Sequence, residues 1–179
     1  MDDSFKFTVI GRQKPQGSLS PFVSKTTGNI VTPQNKPLLA WRETVAAAAY
    51  VAMLRYGFTE IEPPDAVSIK IVFFIERPQV HYRSGKFSHL LKKSAPIFHT
   101  QYPDKDKLER AVLDAISGTA KKTPKIISDD ALVIGGIVLK LWAKANQTHS
   151  TEVTITPIRV ADHAMRDDGS YYLKGECRE

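Results

Sequence analysis

A chain of 179 residues, 42% hydrophobic and 25% charged, has an ordinary globular composition and can bury one core without disulfides or a structural metal. Its single cysteine, Cys177, excludes an internal disulfide, as expected in a reducing cytoplasm. No apolar run reaches a membrane span, and no signal-like core follows Met1-Asp2-Asp3-Ser4. The 25 Lys+Arg against 19 Asp+Glu give +6 and a pI near 9.4. This surplus is concentrated: residues 77–125 hold eleven basic residues against four acids (Asp104, Asp106, Glu109 and Asp114), the footprint of a polyanion partner.

Residues 5–10 alternate, with Phe5, Phe7 and Val9 on one side, and predict a half-buried strand. Gly11, Pro15 and Gly17 punctuate a loop carrying Lys14. Phe22-Val23 and Ile30-Val31, around Gly28-Asn29, suggest a short hairpin. Asn35 and Pro37 announce a helix that Gly57 ends, with Leu38, Trp41, Val45, Ala48, Ala49 and Ala52 on one stripe. That stripe reads as core rather than as a site. After a turn at Pro63-Pro64, residues 66–76 predict a strand with Val67, Ile69, Ile71, Phe73 and Ile75 inward and a mixed, partly covered opposite face.

No period holds over residues 77–102, which Pro78, Gly85 and Pro96 interrupt. Loops of this length are functional or disordered, and the mixture of His81, Tyr82, Arg83, Lys86, Phe87, Lys92 and Lys93 suits a nucleic-acid contact that orders on binding. A solvated flap is the plainer alternative. A second helix is predicted over 106–116, with Leu108, Ala111, Val112 and Ala115 inward and Gly118 as its stop; a basic loop over 119–128 follows. An apolar strand runs over 131–142, with a bulge or bend at Gly135-Gly136. A last strand covers 151–159, with Val153 and Ile155 inward. The expected fold class is α+β: one domain over 1–161, in which roughly four strands form a single mixed sheet packed against two main helices. Residues 162–179 read as a polar, aperiodic, flexible tail.

Two acidic pairs stand at element starts inside the basic segment: Asp104 and Asp106 before the second helix, Asp129 and Asp130 before the apolar strand. Hydrolysing a phosphodiester requires an activated water and neutralisation of phosphoryl charge. Mg²⁺ supplies both, and it prefers a few carboxylate oxygens with retained waters. These four aspartates suit that ion. Arg110, one turn beyond Asp106, suits phosphoryl charge or the fixing of a carboxylate, while Lys105 and Lys107 suit flanking phosphates. Each acid also has a structural alternative. Asp106 with Glu109 has capping-box spacing, Arg110 and Asp114 have ion-pair spacing, and Ser128-Asp129-Asp130 can be a turn. His81, His89 and His99 lack zinc-site spacing with Cys177, and there is no nucleophile elbow, P-loop or dinucleotide fingerprint.

The run Pro103-Asp104-Lys105-Asp106-Lys107-Leu108-Glu109-Arg110, followed by Ile127-Ser128-Asp129-Asp130-Ala131-Leu132-Val133, resembles the signature of the RusA family of Holliday junction resolvases, many of them phage or prophage encoded. The resemblance implies that Asp104, Asp106 and Asp130 are catalytic, metal-binding acids, that Arg110 stands where the family has an important lysine, and that Asp129 and Asp114 match further acids of the pattern. Lys107 replaces the family's asparagine. Arginine at 110 keeps charge but cannot donate a proton near neutral pH. The resemblance further implies a Mg²⁺-dependent (or Mn²⁺-dependent) homodimer that cuts branched DNA in recombination or repair, in the cytoplasm of a bacterial or phage-infected cell. Expected DNA-backbone contacts are Lys14, Arg83, Lys86, Lys92, Lys93, Lys105, Lys107, Lys121 and Lys122. The rival readings are a DNA-binding protein whose acids only cap and pair, and a nuclease for flaps or forks.

Overall fold

The structure, a computed structural model, describes residues 4–17, 22–23, 25–26, 28–31, 35–118, 124–144, 147–165 and 170–173. The N-terminal alternation forms strand β1 (Phe5–Ile10), with Phe5, Phe7 and Val9 buried and the residues between them exposed. The short hairpin pairs β2 (Phe22–Val23) with β3 (Ile30–Val31). Helix α1 (Lys36–Arg55) starts where the Asn35 side-chain oxygen accepts the Leu38 N–H at 3.2 Å, with proline in its first turn. It ends before Gly57, whose φ of +75° suits a residue without a Cβ. The expected stripe is buried, although Ala48 is only partly so. Arg42 and Ala46 are buried in addition.

Four strands form one sheet in the order β1-β6-β4-β5, where β4 is Ala66–Ile75, β5 Val133–Trp142 and β6 Ser150–Ile158. The pairs β1/β6 and β6/β4 are antiparallel; β4/β5 is parallel. A parallel neighbour requires a crossover, which the segment from residue 76 to 132 supplies and which contains helix α2 (Lys105–Ile116). Both helices contribute to the single core, built on Phe5, Phe7, Ile69, Ile71, Phe73, Val153 and Ile155. Fully burying each such large side chain contributes about 1.5–3 kcal/mol before the ordering entropy is set against it.

β5 departs from what its composition suggests. A run this apolar suits a strand covered on both faces, yet β5 is an edge, mostly exposed. The expected interruption is a bulge one residue before the glycine pair: Val67 pairs with Val133 and Ser68 with Gly135, leaving Ile134 out of the ladder. Gly136, at φ +151°, lies so close to β4 that a Cβ there would stand 1.9 Å from the Ile69 carbonyl oxygen. Only glycine fits.

Inside the stretch read as an aperiodic tail, β7 (His163–Met165) pairs antiparallel with β8 (Tyr171–Leu173). Strands of three residues are too short to leave a period in a sequence. Among the described residues no helix is long and apolar enough to cross a membrane.

Candidate nucleic-acid interface and acidic centre

α2 begins one residue earlier than its periodicity predicts, so Asp104 is the N-cap and Asp106 sits inside the first turn. This overturns the capping-box reading. The Glu109 carboxylate accepts from Lys105 Nζ at 3.2 Å, and neither Asp104 nor Asp106 caps through its side chain. Asp104 instead takes the Lys107 ammonium at 3.0 Å, and this bond, with the charge behind it, raises the Lys107 pKa. Both partners remain well exposed, so the pair contributes little and a stronger cation or a phosphate can displace it. Asp106 is exposed and has no hydrogen-bond or ion-pair partner among the described residues. An acid in a first turn is favoured by the helix dipole without needing one.

Arg110 is equally exposed and unpaired among the described residues, because Asp114 is engaged elsewhere. Arg42 of α1 reaches across and bonds both the Asp114 carboxylate and the Gln16 side-chain oxygen. The loop after β1 is therefore fixed at two points. Gln13 donates to the carbonyls of Phe74 (3.1 Å) and Ser150 (2.6 Å), and the Gln16 N–H donates to the Lys107 carbonyl (2.9 Å). Lys14, between those anchors, and Arg12, just before them, line a groove of about 430 Å³ whose other residues include Tyr102, Pro103 and His149. Lys14 thus stands beside the approach to Asp104. Burial holds the His149 pKa below its ordinary value. A larger groove, about 880 Å³, runs along α1, β1 and β6 and touches none of the four aspartates.

At the other acidic pair, the Asp129 side chain accepts from the Ala131 N–H at 2.8 Å and caps a short 3-10 turn, Asp130–Leu132. The turn reading therefore holds for Asp129, which keeps one oxygen free of that bond. Asp130 is exposed and without a partner among the described residues.

The two pairs lie at opposite ends of one strand. α2 runs antiparallel to β5: Lys140, near the end of β5, donates to the carbonyls of Gln101 (2.6 Å) and Pro103 (2.7 Å), just before Asp104. At the far end of α2, the Ile116 carbonyl accepts from Ile126 and Ile127, just before Asp129. Ten residues of strand span about 30 Å. Among the described residues no group of three or more His, Cys, Asp or Glu side chains could hold a metal ion. The carboxylate donors are of the type Mg²⁺ prefers, but within one chain they do not converge.

The 77–102 segment is less plain than its composition suggests. Two 3-10 turns (Gln79–His81 and Gly85–Phe87) and a bridge between Tyr82 and Leu91 shape it. Trp142 anchors it, with the Arg77 guanidinium 5.0 Å from the ring, His99 at 4.3 Å and His81 edge-on at 5.1 Å. Burial, then the Lys140 charge, lowers the His99 pKa; burial lowers that of Lys140 as well. Nothing in the linear pattern marked Trp142, Lys140 or Arg42, since each matters through a partner remote in sequence. Arg83, Lys86, Lys92 and Lys93 are exposed on a segment that also exposes Leu91 and the aromatic ring of Phe87, with the Lys86 ammonium 5.2 Å from its centre. Lys105 and Lys107 are held by their own acids. Lys121 and Lys122 lie outside the described residues.

Acids at a helix start, a cation-lined groove beside them and a basic loop anchored on Trp142 at the end of β5 have the chemistry that DNA cleavage would require. The family model described as Endodeoxyribonuclease RusA matches residues 13–156, and the chain belongs to that family. Membership makes it an endonuclease of the Holliday junction-resolving kind, and the match takes in both acidic pairs and every described cation assigned to DNA. No curated protein matches the chain.

Proposed function

We propose that the chain resolves four-way DNA junctions as a Mg²⁺-dependent homodimer, by paired symmetric nicks, during recombination, repair or phage DNA processing in the cytoplasm. The observation that carries this reading is the exposed Asp106, one helical turn from Arg110, both without a partner among the described residues, in a family of endodeoxyribonucleases. Asp104, Asp106 and Asp130 offer carboxylate oxygens to the ion, with the free oxygen of Asp129 as a further donor; Mn²⁺ has the same preferences. When bound, the ion supplies charge neutralisation and a more acidic water. Arg110 faces the phosphoryl charge, and Lys14 with the outward cations of the 77–102 loop holds flanking phosphates. A two-fold dimer matches a substrate that needs two symmetric cuts.

The test is Asp106→Asn on a synthetic four-way junction. Mg²⁺-dependent nicking falls about a hundredfold or more while junction binding persists. Unchanged nicking removes Asp106 from the mechanism. Binding without nicking by the wild-type chain favours a non-catalytic junction binder, and faster cutting of flaps or forks in a substrate panel reassigns the preferred structure.

A further inference from the structure

The groove of about 430 Å³ formed by the loop after β1, the start of α1 and the residues leading into α2 has the size of a pocket for one small ligand. Its lining includes two cations, Arg12 and Lys14, and no acid. Neither cation has an ion-pair partner among the described residues, and Arg12 stands one residue outside the family match. The lining also includes Tyr102, 71% exposed and two residues before Asp104. Lys86 lies over the Phe87 ring, but among the described residues no ring or cation covers that of Tyr102. The frame is stiff. Lys140 bonds the carbonyls on both sides of Tyr102, Gln13 bonds those of Phe74 and Ser150, and the Gly11 N–H donates to the His149 carbonyl at 2.8 Å. Two lining residues keep donors. The Asn35 oxygen accepts the Leu38 N–H, which leaves its amide N–H₂ without a partner among the described residues. His149 Nδ1 accepts the Glu76 N–H at 3.3 Å, which places the neutral ring's proton on Nε2.

We propose that this groove takes up one unstacked nucleotide of the DNA strand beside the cut, with its base on Tyr102 and its phosphate on Arg12 and Lys14. This rests on the junction-cutting reading above and deepens it, because it assigns the feature that tells a branch from plain duplex. Cations on phosphates hold any DNA. A ring face is more selective: inside a duplex each base is covered by its neighbours, whereas at a branch point stacking is interrupted and a base is released at least cost. Asn35 and His149 then donate to the edge of the captured base or its sugar. At most about 7 Å of backbone separates Tyr102 from Asp104, so the captured base lies close to the phosphate that meets the acids.

5-Iodouracil cross-links under near-ultraviolet light to an aromatic ring stacked on it, and is placed in turn at each nucleotide flanking the branch of a synthetic four-way junction. The wild-type chain cross-links through Tyr102, identified by mass spectrometry, from a branch nucleotide and not from the same nucleotide in duplex. Cross-linking equally from duplex, or from no position, overturns the proposal. A deoxynucleoside monophosphate at millimolar concentration leaves the cross-link in place; loss of it would assign the groove to free nucleotides instead. Binding gives a second arm. Tyr102→Ala keeps the helical circular dichroism and weakens junction binding about tenfold more than duplex binding, and Tyr102→Phe restores it. On a junction with an abasic residue at the cross-linking position, Tyr102→Ala causes no further loss. The same tenfold loss on the abasic junction, or an equal loss on duplex, overturns the proposal. None of these readouts needs cutting. A wild type that cross-links through Tyr102 and never nicks supports the groove and defeats the proposed function, while one that nicks junctions without the cross-link defeats the groove alone.

Discussion

Asp106 and Asp114 stand on the same helix, two turns and a little more apart, and the fold treats them differently. The Asp114 carboxylate is taken by Arg42 from the neighbouring helix, with side-chain exposures of only 20% and 10%. Asp106 faces solvent with no partner among the described residues. An acid that another element reaches out to hold is part of the packing. An acid left open at a helix start, among cations, is available to a ligand.

The sharpest way to break this contrast is to remove the charge at each position. Asp106→Asn lowers nicking about a hundredfold and leaves the melting temperature within about 1–2 °C. Asp114→Asn keeps nicking within about threefold but lowers the unfolding free energy by about 2 kcal/mol, less than a fully buried pair would cost because both groups retain some solvent. Activity assays and denaturant titrations read the two, and an exchange of effects would refute the distinction. Next in size, Arg42→Met with Asp114→Leu recovers about 1 kcal/mol relative to the sum of the single changes, because the double change leaves no unpaired charge behind.

A smaller effect concerns the Trp142 anchor. His99 has its folded pKa below the ordinary 6.5, through burial first and the Lys140 charge second. As pH falls below about 6.5 the unfolded chain therefore binds the proton first, so stability declines from there down through the lower folded-state pKa and is fully present above about 6.5. His99→Phe keeps a ring against Trp142 and flattens this decline in pH-dependent melting. Some slope remains from His149, which burial shifts the same way. The smallest effect is Lys105→Ala, which removes an exposed pair with Glu109 and changes stability by no more than about 0.5 kcal/mol.

Much of the fold was legible from periodicity. Alternation marked β1, β4 and β6, the 3.6-residue stripe marked α1 and α2, and both Gly57 and Gly118 ended their helices as expected. The start of α2 was placed one residue late, because the spacing of Asp106 and Glu109 mimics a capping box while the first helical carbonyl actually belongs to Asp104. The 163–165 and 171–173 pairing was missed, since three residues carry no period.

The candidate acids were legible because aspartates clustered among lysines are unusual in a strictly structural role, and the family match takes in all of them. What became of each acid was not. Lys107 on Asp104, the cap made by Asp129 and the Arg42 clamp on Asp114 all depend on which atoms folding brings within about 3 Å.

By itself, the sequence determined the class of fold, the basic character of the working surface and which acids were worth following, because periodicity and local charge density are properties of neighbours along a chain. Only the tertiary structure decided that β5 is an edge, that the two acidic pairs stand at its opposite ends, and that Trp142 gathers the long loop. Strand order and the direction of a crossover are set by contacts between residues far apart in number, which leave no mark on local spacing.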